Sequence, residues 1–343
     1  MTYIAIDVHK SSSTFHWWIP GEAQFGRRCI KTRQERFRKL LDALPGPFVV
    51  AIEATRQAPA ACSWLKQMDC EIHLVDPRKM AALNELMSAK TDDKDAASML
   101  KALIHDYLPE AYLAPDDVVE RRALTRGHTA LRRLSTSVRN HLRIALCQAG
   151  IELTCTNLTG KTARSIVPGL LQQLPKCAGI VAQVYWTILQ VLEQCIVQVD
   201  DEIKEQVAAD PLATELCEHP GIGNVTALGL LGEIGEVARF PKDKKLHSYA
   251  GVAPKAFRTG DFAASGHLPQ RCNKRLRYWA VTAAQNASRC KAPSKAKDAY
   301  ERAKLKHNSN TAKIVAARAI LSFLYHLARR TAVPDQGPVT LVA

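Results

Sequence analysis

The sequence predicts an N-terminal α/β domain followed by a longer, mostly α-helical region. Three observations carry that reading. Short β-rich runs alternate with helical spacing through the first hundred residues. Two long amphipathic stretches, Glu120 to Ile151 and Val181 to Val207, fill the middle. Beyond them come Gly-rich turns and a basic end, with fifteen Lys and Arg against only Asp298 and Glu301 between Arg271 and Arg330. The expected divisions are 1–110, 111–210 and 211–335.

The elements follow in order. "TYIAIDV" (Thr2 to Val8) is an apolar run that ends in an acid. "TFHWWI" (Thr14 to Ile19) and "QFGRRCI" (Gln24 to Ile30) read as antiparallel partners, with Pro20 and Gly21 in the turn. Helical spacing recurs in Thr32 to Leu44 at Phe37, Leu40, Leu41 and Leu44. "PFVVAIEA" (Pro47 to Ala54) is a fourth strand and again ends in an acid. A helix over Ala58 to Met68, a strand "EIHLVDP" (Glu71 to Pro77) and a helix from Arg78 complete the set. A three-strand meander followed by strands alternating with helices is the order of a ribonuclease-H-like domain.

Four acids stand out in this frame. Asp7 and Glu53 close strands that this order makes neighbours. The stretch "KTDDKDA" (Lys90 to Ala96) opens a helix to about Ile104, and its Asp92 and Asp95 are three apart on one face while Asp93 points elsewhere. Acids in a first turn also suit the helix dipole, and Asp7 alone also suits a turn. Together the four make an all-oxygen set suited to Mg²⁺, a hard ion that binds phosphate oxygens at the same time. Lys10 and Lys90 stand near enough in sequence to meet a phosphate backbone.

Composition narrows the partners. A formal charge of +14 points to a polyanion, because Lys and Arg that neutralise phosphates release counterions. The ten cysteines lie far apart with no CxxC pair, which argues against zinc and reads as buried thiols. No apolar run approaches the length of a membrane span, and "MTYIAIDVHK" has no signal pattern, so a cytoplasmic protein is expected.

The first long helix carries apolar residues at Leu124, Leu131, Leu134, Val138, Leu142 and Ala145. Arg121, Arg122, Arg126, Arg132, Arg133, Arg139 and Arg143 crowd its other faces, a pattern for lying along RNA or DNA. The second is striped at Val184, Ile188, Leu192, Cys195, Val199 and Ile203. The two are expected to pair as an antiparallel coiled coil, to form an intramolecular hairpin, or to dimerise. "PGIG" then reads as a helix-hairpin-helix turn, with Gly221 and Gly223 freeing backbone N–H groups for a phosphate.

The ordered set AIDVHK, IEAT, LVDP, KTDDKDA, PGIG, YAGVAP and CNKRLR resembles the DEDD transposases of insertion-sequence family 110, relatives of the pilin-inversion recombinase. The resemblance runs over roughly residues 3 to 330. It implies a RuvC-like domain, a coiled-coil insertion and a C-terminal Tnp domain. It also implies donor and target DNA as partners, a bridge RNA as guide, and a homodimer assembling to a tetramer. The family's four acids map onto Asp7, Glu53, Asp92 and Asp95. A C-terminal serine serves the family as nucleophile, forming a covalent link to DNA.

Here the chain departs from the pattern. Thr259, followed by Gly260, stands at the family serine's place; Ser265, also followed by Gly, is the second choice by spacing. A β-branched hydroxyl keeps the chemistry but restricts the rotamers for in-line attack. Arg258, Arg271, Lys274, Arg275 and Arg277 are expected at the DNA backbone near the break. The rival readings are a hydrolytic ribonuclease-H-type nuclease or junction resolvase, and a catalytically decayed nucleic-acid binder.

Overall fold

The computed structural model describes residues 1–86, 92–254, 256–259 and 262–332. The chain divides into two compact units, Met1–Leu113 and a second that begins at Ala114.

The first unit is built on β1 (Thr2–Val8), β2 (Ser12–Trp18), β3 (Gly26–Lys31), α1 (Gln34–Leu41), β4 (Phe48–Glu53), α2 (Ala58–Lys66), β5 (Glu71–Val75), α3 (Pro77–Leu86) and α4 (Asp92–Ile104). The five strands form one sheet in the order β3-β2-β1-β4-β5. The β1–β2 and β2–β3 pairs are antiparallel, and β4 and β5 run parallel to β1. This is the mixed order that the strand pattern predicts for a ribonuclease-H-like sheet.

Both faces are covered, which is why β1 and β4 read as nearly continuous apolar runs. Ile4, Ile6, Val8, Val50 and Ile52 pack on α1 and α2, where Phe37 meets the Phe15 ring edge-on at 4.8 Å. Ala5, Val49, Ala51 and Val75 face Met80 of α3 and Ala96, Met99 and Leu100 of α4. The small side chains at 5 and 51 let that helix lie close on the sheet.

The second unit contains α5 (Asp116–Gln148), α6 (Lys161–Leu171), α7 (Lys176–Ala209), α8 (Pro211–Cys217), α9 (Asn224–Ile234), α10 (Asp243–Ala250), a hairpin of β6 (Ala256–Thr259) and β7 (Phe262–Ser265), then α11 (Lys274–Arg289), α12 (Lys295–Lys304) and α13 (Ser309–Ala332). Helix α9 is buried from Thr226 to Ile234, and with α11 and α13 it forms the main core. Helices α5 and α7 run antiparallel: Arg121 pairs with Asp210, His128 with Asp200, Ser135 with Glu193, and the His141 ring stacks on Tyr185. At the far end Leu142, Leu146, Trp186 and Leu189 close a small core against α6.

Four expectations need correction. Of the expected α5 stripe Leu142 is buried and Val138 and Ala145 pack on the core, but Leu134 is exposed, and the rest of the buried seam is Thr125, His128, Ser135 and Leu146, partly polar. Helix α7 buries Ala182, Trp186, Leu189, Ile196, Ile203 and Val207, leaving Val184 (53%) and Ile188 (41%) in solvent. Of the expected stripe Ile203 is buried and Val199 packs on the core, but helix α7 is apolar on two faces, and spacing alone drew in the outer Val184 and Ile188. Cys62 is buried, but Cys29, Cys147 and Cys177 are exposed, so the cysteines are not uniformly core thiols. Finally, α7 and α13 are each long and apolar enough to cross a membrane by length and composition. Helix α13 uses that surface in the core, through Ala316, Ala317, Ile320, Leu321 and Leu324.

Candidate functional site

The parallel half of the sheet fixes the first cluster of acids. Register pairs Ile6 with Ile52, so Asp7 and Glu53 stand one step further on, at the C-terminal ends of adjacent strands. Side chains alternate along a strand, so both acids share the face of Ala5 and Ala51, on which α4 packs. Asp7 is only 9% exposed. Its Oδ2 lies 3.0 Å from Nε2 of His9. The β1–β2 turn carrying His9 and the exposed Lys10 is tied down by Thr32, whose hydroxyl donates to the His9 carbonyl at 2.8 Å. The third parallel strand also ends in an acid, Asp76, but its Oδ1 accepts from the Arg78 and Lys79 amides and caps α3.

Asp92 and Asp95 lie in the first turn of α4. Their side chains, and Lys90 entirely, lie outside the described residues. Among the described residues no three His, Cys, Asp or Glu side chains are grouped to hold a metal ion. A buried carboxylate beside a second one, on the face where an acid-opened helix packs, is an oxygen-rich donor set that fits a hard divalent cation.

The second candidate region is the β6–β7 hairpin. Thr259 pairs with Phe262 next to the turn, and Ser265 pairs with Ala256 at the opposite end. The side chains of Arg258, Thr259 and Ser265, and Gly260 entirely, lie outside the described residues. What is described is how the hairpin's base is held. Asn273 N donates to the Tyr249 carbonyl at 2.8 Å. The Arg277 guanidinium donates to the carbonyls of Ala250 (3.3 Å) and Pro269 (2.6 Å), one before the hairpin and one after. Gly251, at φ +69°, has no room for a Cβ, which would sit 2.2 Å from Arg277 Nη2. Arg277, expected at the DNA backbone, thus spends its hydrogen bonds on this clamp.

Beneath the clamp lies a network that sequence reasoning missed. Glu233 is 1% exposed. Its carboxylate accepts from Arg126 Nε at 2.7 Å, Arg126 Nη2 at 3.0 Å and Asn273 Nδ2 at 3.0 Å. Burial pushes this carboxyl up, but the bonds from Arg126 and Asn273 outweigh it and hold it below the ordinary range. Asn273 Oδ1 in turn caps α11 through the amides of Arg275 and Leu276. The one signal for this site was an acid inside the otherwise apolar helix "NVTALGLLGEI".

The arginines of α5 are largely occupied too. Arg121 pairs with Asp210, Arg122 donates to the Gly232 carbonyl, and Arg132 meets Asp200 at 3.0 Å and Glu193 at 3.7 Å. Arg139 bonds back to the Ser135 carbonyl at 3.3 Å. Arg133 on the same helix is exposed, as are Arg271, Lys274 and Arg275 around the start of α11. In "PGIG", Gly221 at φ +92° packs on the backbone of Ala287, where a Cβ would meet the amide nitrogen at 2.3 Å. Gly223 opens α9 with free space around its Cα.

Two family models match this chain. One, described as a transposase of the IS110 DEDD type, covers residues 4–151, the acid-bearing sheet included. The other, the transposase IS116/IS110/IS902 family, covers residues 213–301, the hairpin and its clamp included. The chain is 24% identical over 287 residues to the transposase for insertion sequence element IS1328 of Yersinia enterocolitica, spanning 83% of each. It is 32% identical over 107 residues to an insertion element IS116 protein of Streptomyces clavuligerus, 31% of this chain and 27% of that one. It is 23% identical to an insertion element IS110 protein of Streptomyces coelicolor, across 95% of this chain and 94% of the other. With the ribonuclease-H-like sheet at one end and the matched C-terminal region at the other, the chain belongs to the IS110 family of DEDD transposases and is a DNA transposase of an insertion sequence.

Proposed function

We propose that this transposase joins donor and target DNA by strand exchange, guided by a noncoding bridge RNA, through a covalent hydroxyl–phosphate intermediate. The observation that supports the catalytic half is the adjacency of Asp7 and Glu53 on the face where α4, opened by Asp92 and Asp95, packs. These four acids would hold Mg²⁺, which supplies charge neutralisation at a scissile phosphate. The hydroxyl of Thr259, or of Ser265, attacks phosphorus. The P–O bond to the departing strand breaks, and that strand's oxygen takes up a proton. The phosphodiester energy stays in a protein–DNA ester, which a hydroxyl of the second strand then attacks, releasing the side chain.

The remaining roles rest on place in the fold. Arg271, Lys274 and Arg275, exposed around the start of α11, bind backbone near the break. The antiparallel α5–α7 pair is the coiled-coil region, and α8, PGIG and α9 are the helix-hairpin-helix element. On this reading 1–110 is the RuvC-like domain, 111–210 the coiled coil and 211–335 the Tnp domain. Ile180, Val184, Ile188 and Val191 form an exposed apolar stripe on α7 at spacings of four, four and three. That stripe supports a homodimer that assembles further on DNA in the cytoplasm.

The test is the product. Purified protein is incubated with Mg²⁺, donor and target DNA, and RNA transcribed from the noncoding sequence beside the gene. A protein–DNA adduct stable to denaturation, and RNA-dependent joint molecules, are expected. Free nicked DNA without an adduct would replace the recombinase with the hydrolytic nuclease.

A further inference from the structure

Between α5 and α11 lies a cleft of about 310 Å³ lined by His128, Thr129, Arg132, Arg133, Thr136, Tyr278 and Trp279. Its lining holds two guanidiniums, three hydroxyls and three aromatic rings, and no carboxylate. Asp200 pairs with the lining His128 and Arg132, and Glu193 with Arg132, but both acids belong to α7 and are not in the lining. Arg132 is anchored to them, while Arg133 extends exposed at the rim.

The floor is rigid. Trp279 is buried against α9, where a Cβ on Gly229 would meet its ring at 2.5 Å. Tyr278 is different: 46% exposed, its ring meets Trp279 edge-on, with centroids 4.9 Å apart and planes at 65°. A large ring left in water, one residue from a core tryptophan and flanked by Lys274 and Arg275, costs apolar exposure that packing elsewhere does not explain. Aromatic faces beside guanidiniums in a small cleft are what single strands use: the ring stacks a base, the cation meets its phosphate. The size matches the small end of ligand pockets, enough for one nucleotide and too narrow for a duplex.

We propose that this cleft captures one unstacked nucleotide of a single-stranded segment, with Tyr278 as the stacking face and Arg133 as the phosphate contact. The inference rests on the nucleic-acid reading above and narrows it to a site. The chemistry is shared by RNA and by a displaced DNA strand.

The test compares equilibrium binding of labelled single-stranded RNA, single-stranded DNA of the same sequence and duplex DNA by the full chain. The variants are Tyr278→Ala, Tyr278→Phe and Arg133→Ala, each checked for native helix content. Tyr278→Ala should weaken single-strand binding by roughly 5- to 150-fold, the range for loss of one stacked base, and leave duplex binding unchanged. Tyr278→Phe should retain affinity, because stacking needs the ring and not the hydroxyl. Arg133→Ala should lower the slope of log affinity against log salt by about 0.7 on single strands. Whichever single strand shows the larger Tyr278→Ala loss is the physiological occupant. Equal losses on single strand and duplex, or none on either, overturn the cleft. If the unaltered chain binds no nucleic acid at all, the broader reading falls and takes the cleft with it.

Discussion

The Arg126 guanidinium closes a two-pronged bond on the Glu233 carboxylate, Nε to Oε1 at 2.7 Å and Nη2 to Oε2 at 3.0 Å. It ties α5 to α9, and through Asn273 it reaches the cap of α11 and the base of the β6–β7 hairpin. Glu233 has its carboxyl held below the ordinary value, so its contribution to stability is fully present above the unfolded value near 4.5. It is lost as pH falls through the lower folded value. Glu233→Gln should cost about 2–4 kcal/mol near neutral pH, since it leaves a partly buried guanidinium without its anion. It should also flatten the acid limb of stability against pH. Denaturant unfolding across that range checks both; an unchanged acid limb would remove Glu233 from the account.

The hairpin clamp makes a separate prediction. Arg277 spans two carbonyls on opposite sides of the hairpin, a geometry that a lysine ammonium cannot copy. Arg277→Lys should leave the unfolding midpoint nearly in place yet slow formation of a DNA adduct, by up to about a hundredfold if the hairpin shifts by an ångström. Gly251→Ala should instead destabilise the unit, by more than about 1 kcal/mol, because a left-handed alanine is strained before its Cβ meets Arg277. An Arg277→Lys variant that reacts at the wild-type rate would leave the clamp no part in positioning.

Strand exchange should depend on the acids as a set. Asp7→Asn, Glu53→Gln, Asp92→Asn and Asp95→Asn should each abolish it while leaving nucleic-acid binding nearly intact. Asp93→Asn should be mild if, as helical spacing predicts, positions 92 and 95 share a face that position 93 does not. Equal loss at Asp92, Asp93 and Asp95 would reduce the site to a general acidic patch.

The exposed stripe on α7 is tested by charge. Val184→Glu with Ile188→Glu places two carboxylates on the outward face without touching the seam against α5. We expect the oligomer measured by light scattering to fall to monomer with helix content unchanged. A wild-type chain that is already monomeric at every concentration would exclude the contact.

The sheet was legible because each of its cues is local. Short apolar and β-rich runs marked the strands, Pro20–Gly21 the turn, and strand-end acids the place where a site is proposed. Asp7 and Glu53 became neighbours from strand order alone, and register places them so. The helical unit was less legible where one helix serves two surfaces. Val184 and Ile188 have the spacing of a core stripe, and nothing in α7 itself says that Trp186 and Leu189 take the inside. Arginine function was hidden for a similar reason. Arg126 and Arg277 look like any basic residue until the fold brings Glu233 and the loop carbonyls to them, contacts that span 107 and 27 residues.

The final prediction concerns Thr259 and Ser265, which stand at opposite ends of the hairpin, against Phe262 and Ala256. A nucleophile needs one fixed place relative to the scissile phosphate, so the two hydroxyls do not substitute for one another. If Thr259 attacks, Thr259→Ala removes both strand exchange and adduct, while Thr259→Ser keeps or raises activity, because serine retains the oxygen without the hindering methyl. Ser265→Ala is the control and should be near wild type. The reverse pattern, loss at Ser265 and tolerance at Thr259, would move the nucleophile to the hairpin's other end. Retained cleavage in both alanine variants, with no adduct trapped by denaturation, would make water the attacking group and leave Thr259 as a turn residue beside Gly260.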